Sequence, residues 1–298
     1  MTGIRRLAGV LLLTALAAGV TTPSWSQSLE REAYVAVTDD AGEPVAGLTE
    51  EHFEVREDGV AREVLRVRRA TEPMQIVLLV DNTQASDSAI PDIRRALTAF
   101  VEELGGDHEI GLATFGERPT LRVSGTTDVA AIEEGIGRIF AMPNAGSYLL
   151  DAIAETTRGF ARREAPRPVI VAITVEGTEF SYANDQHVIR DLVSTRTPLY
   201  VMAVPLGGRS SPLGSVEERN RAIVFDRGTK ESGGRLIELL SDTALPERMG
   251  RLARTLGMQY LVTYARPDAL VPPERLTVTV SRPGLEATAT PALPLGES

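Results

Sequence analysis

The sequence predicts an α/β protein whose middle is a doubly wound, mostly parallel sheet and whose two ends supply the strands of a small β-sandwich-like domain. Three observations predict it. Between Met74 and Leu256, short apolar runs alternate with stretches of helical periodicity, the pattern of a parallel sheet covered on both faces. On either side of that block, period-two segments broken by turn residues replace the helices. The 298 residues contain no cysteine, so neither a disulfide nor a thiolate-bound metal holds the chain together and packing must do so.

In chain order, Met1-Thr-Gly-Ile-Arg5-Arg6, the apolar run Leu7–Val20 and Thr21-Thr-Pro-Ser-Trp25-Ser26 form the charged, hydrophobic and small-residue sequence of a secretory signal peptide, cleaved after Ser26. Its apolar core falls short of the ~20 residues that span a bilayer. Residues 1–26 are therefore expected to be removed, leaving an exported protein, periplasmic or extracellular, without a membrane span. Loss of Arg5 and Arg6 leaves 41 acidic against 29 basic residues, a balance that excludes nucleic acid as the expected partner.

Tyr34–Val37, the turn Asp39–Pro44, Phe53–Val55, the Asp58-Gly59 hairpin signal and Val64–Val67 read as short strands. Gln75–Val80 is a buried strand ending in Asp81, followed by a helix from Ile90 to Leu104 with apolar residues at Ile93, Ala96, Leu97, Phe100, Val101 and Leu104. Ile110–Phe115 and the edge-like Thr120–Val123 come next, then a helix over Asp128–Ile139 capped by Asp128. The loop Met142–Ser147 opens a helix running through Phe160. Pro168–Ile173 and Pro198–Val204 are further buried strands around a helix near Asp185–Ser194, and Gly207–Asn220 reads as a polar loop. Gly233–Glu238 is a short last strand and Pro246–Leu256 the closing helix. Gln259–Tyr264 and Leu276–Val280 return to β. The expected units are thus 30–70 together with 258–291 as the small β domain, 71–257 as the α/β domain, and 292–298 as a disordered tail.

Catalysis finds no constellation. His52, His108 and His187 fall in separate segments without metal-ligand spacing, and neither a Gly-x-Ser-x-Gly elbow nor a Walker loop is present. Gly135-Ile-Gly137 lacks the third glycine of a dinucleotide fingerprint and reads as a helix end. The acidic pairs Glu50-Glu51, Glu102-Glu103 and Glu133-Glu134 read as solvated faces. No enzymatic activity is expected.

Val35-Ala-Val-Thr-Asp-Asp-Ala-Gly-Glu-Pro-Val-Ala-Gly-Leu-Thr-Glu-Glu-His-Phe-Glu-Val-Arg-Glu-Asp-Gly59, followed in order by Met74–Asp81, Asn144–Ile153 and Ser232-Gly-Gly-Arg235, resembles bacterial exported proteins in which a β segment precedes a von Willebrand factor type A domain. The resemblance implies a type A-like sheet and a metal-ion-dependent adhesion site at its C-terminal edge, holding Mg²⁺ or another divalent cation whose open position takes an acidic side chain of a protein or peptide partner. Carried onto this sequence, the site residues are Asp81, Thr83, Ser147 and Glu176. The site is degenerate: Ala85 stands where the family's first loop has a serine, Ser147 replaces a threonine and Glu176 an aspartate. Two readings follow. One is a metal-assisted adhesion rim; the other is a metal-free structural or assembly module, in which those side chains satisfy local groups and the partner binds surface loops or pairs with a strand edge.

Overall fold

The computed structural model describes residues 28–205, 214–267, 275–291 and 293–294; the expected signal peptide lies outside them. The period-two segments form β1 (Ser28–Asp39), β2 (Phe53–Glu57), β3 (Val60–Arg62) and β4 (Val64–Arg69). The α/β block follows: β5 (Gln75–Val80), α1 (Ile90–Leu104), β6 (Glu109–Thr114), β7 (Thr120–Thr126), α2 (Val129–Gly137), α3 (Leu149–Arg162), β8 (Pro168–Val175), α4 (Asp185–Ser194), β9 (Leu199–Val204), α5 (Val216–Ile223), α6 (Thr229–Ser232), β10 (Arg235–Glu238) and α7 (Leu245–Gly257). The chain then gives β11 (Tyr260–Pro267), β12 (Leu276–Val280), β13 (Leu285–Ala289) and β14 (Leu293–Pro294).

The central sheet has the order β10-β9-β8-β5-β6-β7. All its pairings are parallel except that of β7, which runs antiparallel to β6 at the edge. Ile76, Leu78 and Val80 face α1 and α7, packing with Ile93, Phe100, Met249 and Leu256. Leu79 points the other way, among Leu149, Ile153 and Phe160 of α3 and Leu192 of α4. Every residue of β8 is buried, because helices cover both faces of that strand, and this is why its sequence is apolar throughout instead of alternating.

The flanking strands make two antiparallel sheets, β13-β1-β11-β4 with β14 also on β1, and β12-β2-β3. Val35, Val37, Val55, Tyr260, Val262, Tyr264 and Val278 fill the space between them, one inward face from each sheet as in a sandwich. The chain passes from this sandwich into the α/β block at Ala70 and returns at Gln259, and these two residues touch: Ala70 N–H donates to Gln259 O at 2.9 Å. Buried Arg167 braces the junction, its guanidinium 4.4 Å from the Tyr34 ring centroid and donating to Gln259 Oε1 at 2.7 Å.

Two expectations change. Within the polar stretch Gly207–Asn220, residues 206–213 lie outside the described part, but Val216–Ile223 is helix α5. Its N-terminus is closed by a capping box, Ser215 Oγ accepting from Glu218 N at 3.0 Å while Glu218 takes the Ser215 N–H; that reciprocal satisfaction of end donors outweighs the loop-like composition. At the C-terminus, Leu293–Pro294 of the expected tail pair with Arg31 and Glu32 as β14, since the outer edge of β1 beyond β13 offers free backbone groups there.

Candidate functional site

β5, β8 and β9 are parallel neighbours, so the loops leaving their C-terminal ends emerge along one edge of the sheet, the usual ligand side of an open α/β fold. The first loop turns on Asp81, which is fully buried. Its Oδ1 accepts from Thr83 N at 2.9 Å, and its Oδ2 from Val175 N at 2.9 Å and Thr174 Oγ1 at 3.3 Å. Desolvation outweighs these bonds and lifts the Asp81 carboxyl above its ordinary pKa. Asn82 Oδ1 accepts from Gly116 N at 2.8 Å, an approach that only glycine allows, because a Cβ there would lie 2.8 Å from the same oxygen.

The second loop is stitched to the first. Met142 N–H donates to Asn82 O at 2.8 Å, Gln84 N–H to Ala145 O at 3.3 Å and Asn144 N–H to Gln84 Oε1 at 3.0 Å. Ser147 bridges Gly116 on one side and Glu179 on the other. The third loop closes against the first at Gly177, where a Cβ would meet Ala85 Cβ at 3.4 Å. Glu176 is half-buried and its backbone N–H bonds Val204 O at 2.9 Å. Among the described residues no hydrogen bond joins its carboxylate to Asp81, Thr83 or Ser147.

The acid that Ser147 meets is Glu179, which the sequence reading did not single out. Ser147 Oγ donates to Glu179 Oε2 at 2.8 Å, Ser181 Oγ donates to Oε1 at 2.5 Å, and the Arg221 guanidinium of α5 lies 3.7 Å away. The Glu179 side chain is fully buried, while that of Arg221 is 12 % exposed. Leu150 N, in the first turn of α3, points at Oε1 from 3.5 Å, so the carboxylate also faces the positive end of that helix. Neighbouring Asp151 accepts from Tyr182 N at 3.2 Å and Ala183 N at 2.9 Å. The segment 179–183 is thereby fixed to the start of α3.

Burial raises the Glu179 carboxyl above its ordinary value, against the lowering effects of Ser181, Ser147 and Arg221. A carboxyl whose pKa is higher folded than unfolded makes its stabilising contribution below the unfolded value, near 4.5, and loses it as pH climbs through the folded one. Stability of the native chain should therefore fall relative to Glu179→Gln as pH rises from 4.5. Denaturant curves for both chains at pH 4.5 and 7.5 test this; an unchanging difference would mean that Glu179 titrates as it does when unfolded.

Several of the oxygens a divalent ion would use are already engaged within the chain. Mg²⁺ needs about six oxygens in a narrow geometry. Both Asp81 oxygens already accept backbone N–H groups, the Ser147 hydroxyl proton goes to Glu179, and Ala85 offers no oxygen. Ser86, just downstream, gives its hydroxyl to Thr83 O at 2.8 Å.

Large apolar side chains are exposed in the loops at the same edge. Phe140 is 64 % exposed, Phe180 49 %, Tyr182 91 % and Leu240 98 %. Phe180 stacks beside Tyr148 with ring centroids 6.1 Å apart and lies over Gly146, whose Cβ would fall 2.2 Å from the ring. Phe140 lies under the Arg94 guanidinium at 4.5 Å.

Compared with known proteins, the von Willebrand factor type A domain model matches residues 76–177. Solved structures that the chain matches include the conserved hypothetical protein BatB from Bacteroides thetaiotaomicron (16% identity, 62% of this chain and 99% of that one, TM-score 0.44). Others are a von Willebrand factor type A protein from Catenulispora acidiphila (13%, 89% and 72%, 0.48) and the vWF domain of the type V pili tip protein Mfa5 from Porphyromonas gingivalis (11%, 63% and 96%, 0.47). No curated protein matches the chain.

Proposed function

We propose, from the premise that residues 76–177 are a von Willebrand factor type A domain, that this chain is an exported, non-enzymatic interaction module that captures a protein or peptide partner on the edge formed by the Asp81, Ser147 and Glu179 loops. The observation that carries this reading is the exposure of Phe140, Phe180, Tyr182 and Leu240 in the loops at that edge. Soluble proteins leave single apolar residues exposed without consequence, but several large ones spread along one ligand-side edge point to an interaction surface. Aromatic anchors dominate such interfaces because they bury large area at small entropic loss. Fixing 179–183 to α3 through Glu179 and Asp151 holds the Phe180 and Tyr182 backbones in place before the partner arrives, which lowers the ordering penalty of association.

In this reading the adhesion geometry is metal-independent: the hydrogen bonds of Asp81 and the Glu179–Arg221 pair do the organising that a cation does elsewhere in the family. The second reading, Mg²⁺ or another divalent ion among Asp81, Thr83, Ser147 and Glu176, draws support from the oxygen-bearing side chains kept at those four positions. Export is supported by the charged, apolar and small-residue order of residues 1–26.

Capture of partners from the exported fraction of the source organism, with and without chelator, separates the two. Tyr182→Ser and Leu240→Ser should each leave stability within about 0.5 kcal/mol of native, since both side chains are almost entirely exposed. Each should weaken capture by roughly tenfold or more, the scale of an interface anchor. Undiminished capture by both variants would sink the edge reading; capture abolished by chelator, with a melting temperature raised by millimolar Mg²⁺, would favour the metal site.

A further inference from the structure

At the opposite edge of the central sheet from these loops, the end of α4 and the α6 region face the flanking strands across a cleft of about 1320 Å³. Six cationic side chains line it, Arg31, Arg196, Arg227, Lys230, Arg266 and Arg275, in a chain whose net charge is −10. The three acids among the described lining residues are engaged. Glu57, 1 % exposed, accepts from Tyr264 Oη at 2.9 Å and Arg62 Nε at 3.0 Å, with Arg266 Nε at 3.4 Å. Glu231 holds Arg227 at 2.9 Å, and Asp58 Oδ1 accepts the Arg275 backbone N–H at 2.9 Å.

Arg31 stands opposite Tyr264 in the β1–β11 register, beside this network, and its Nε is buried with no hydrogen-bond partner. Two guanidiniums, Arg62 and Arg266, thus already share the one buried carboxylate beside the cleft, and Arg31 is the third cation near it. A buried N–H⁺ without an acceptor is unfavourable until an oxygen reaches it. Guanidinium forks match the planar oxygens of carboxylates and phosphoryl groups, and inter-lobe clefts are common ligand sites.

We propose that this cleft is a binding site for an anionic ligand held through an oxyanion group, carboxylate or phosphoryl, by Arg31, with Arg275 and Lys230 supplying the surrounding positive field. The site is separate from the apolar edge and acts whether or not that edge binds a partner.

The test is isothermal titration of the full chain with citrate and with tripolyphosphate in divalent-free buffer, ionic strength held constant with sodium chloride. Saturable binding with a midpoint below about 1 mM is expected for at least one probe, an affinity several salt-bridged contacts supply. Citrate alone assigns the site to carboxylates, tripolyphosphate alone to phosphoryl groups, and both to oxyanions in general; each supports the proposal. Arg31→Gln and Arg275→Gln should each weaken binding tenfold or more. Arg275 is exposed, so its variant reports on the site even if Arg31→Gln folds poorly, and Tyr182→Ser should bind as the native chain does. Absence of saturable heat with either probe, or binding unaltered in both arginine variants, would overturn the proposal.

Discussion

Replacing Gly234 with alanine is expected to lower the unfolding free energy by about 3 kcal/mol or more, through overpacking against backbone that has nowhere to move. A Cβ on Gly234 would lie 2.0 Å from Leu199 O and 2.4 Å from its carbonyl carbon. Leu199 opens β9 and pairs with Ile170 of β8, in the middle of the sheet, while the Gly234 N–H is fixed to Thr229 O at 2.8 Å. For a chain of this size the loss amounts to a fall of roughly 6–12 °C in melting temperature. Gly159→Ala is the matched control: it lies within α3, nothing stands within 4 Å of its added Cβ, and it should gain about 0.5–1 kcal/mol. Equal denaturation midpoints for Gly234→Ala and the native chain would mean that β9 begins farther from Gly234 than described.

Asp81→Ala is the second large effect, about 3 kcal/mol. The substitution leaves the Thr83 and Val175 N–H groups without their acceptor at a fully buried position, and each such orphaned donor costs roughly 1–3 kcal/mol. Asp81→Asn keeps the shape and one accepting oxygen but turns an NH₂ toward one of the two N–H groups, so its loss should fall between native and alanine. Urea titration with an unchanged slope measures both. A cost below about 1 kcal/mol for alanine would mean that water or a neighbouring oxygen takes over, and that Asp81 is not what anchors the first loop.

Long apolar strands and striped helices were readable in the sequence because burial on two faces, or one, leaves an unmistakable period. β8 has no polar position to obscure it, and the stripe Ile93, Leu97, Phe100, Leu104 names the face α1 turns to the sheet. Helix α5 hid because it buries none of its residues, so no apolar stripe marks it, although Ser215-x-x-Glu218 stands there as a cap signal. At the edge, Asp81 stands out at the end of a buried strand, but Ser147 is marked as a site residue only by the resemblance to type A domains. Glu176 stands where the resemblance places an aspartate after β8; yet the chain runs on past Gly177, packed on Ala85, before an acid turns inward. Glu179 meets Ser147 across 32 residues and Arg221 across 42, and no local spacing encodes such partners. The exposed rings were equally silent, since one sequence cannot distinguish a phenylalanine at a surface from one in a core.

The contact between Ala70 and Gln259 has a mechanical consequence. Because the chain leaves and re-enters the sandwich at adjoining points, and Ser28 and Pro267 lie paired at the outer end of β1 and β11, tension applied there peels the two strands apart one pair at a time, and the α/β block hangs outside the line of force until all eight pairs have opened. A tether anchored through the sandwich could therefore be stretched without distorting the surface that the block displays, like a sign hung from a cable.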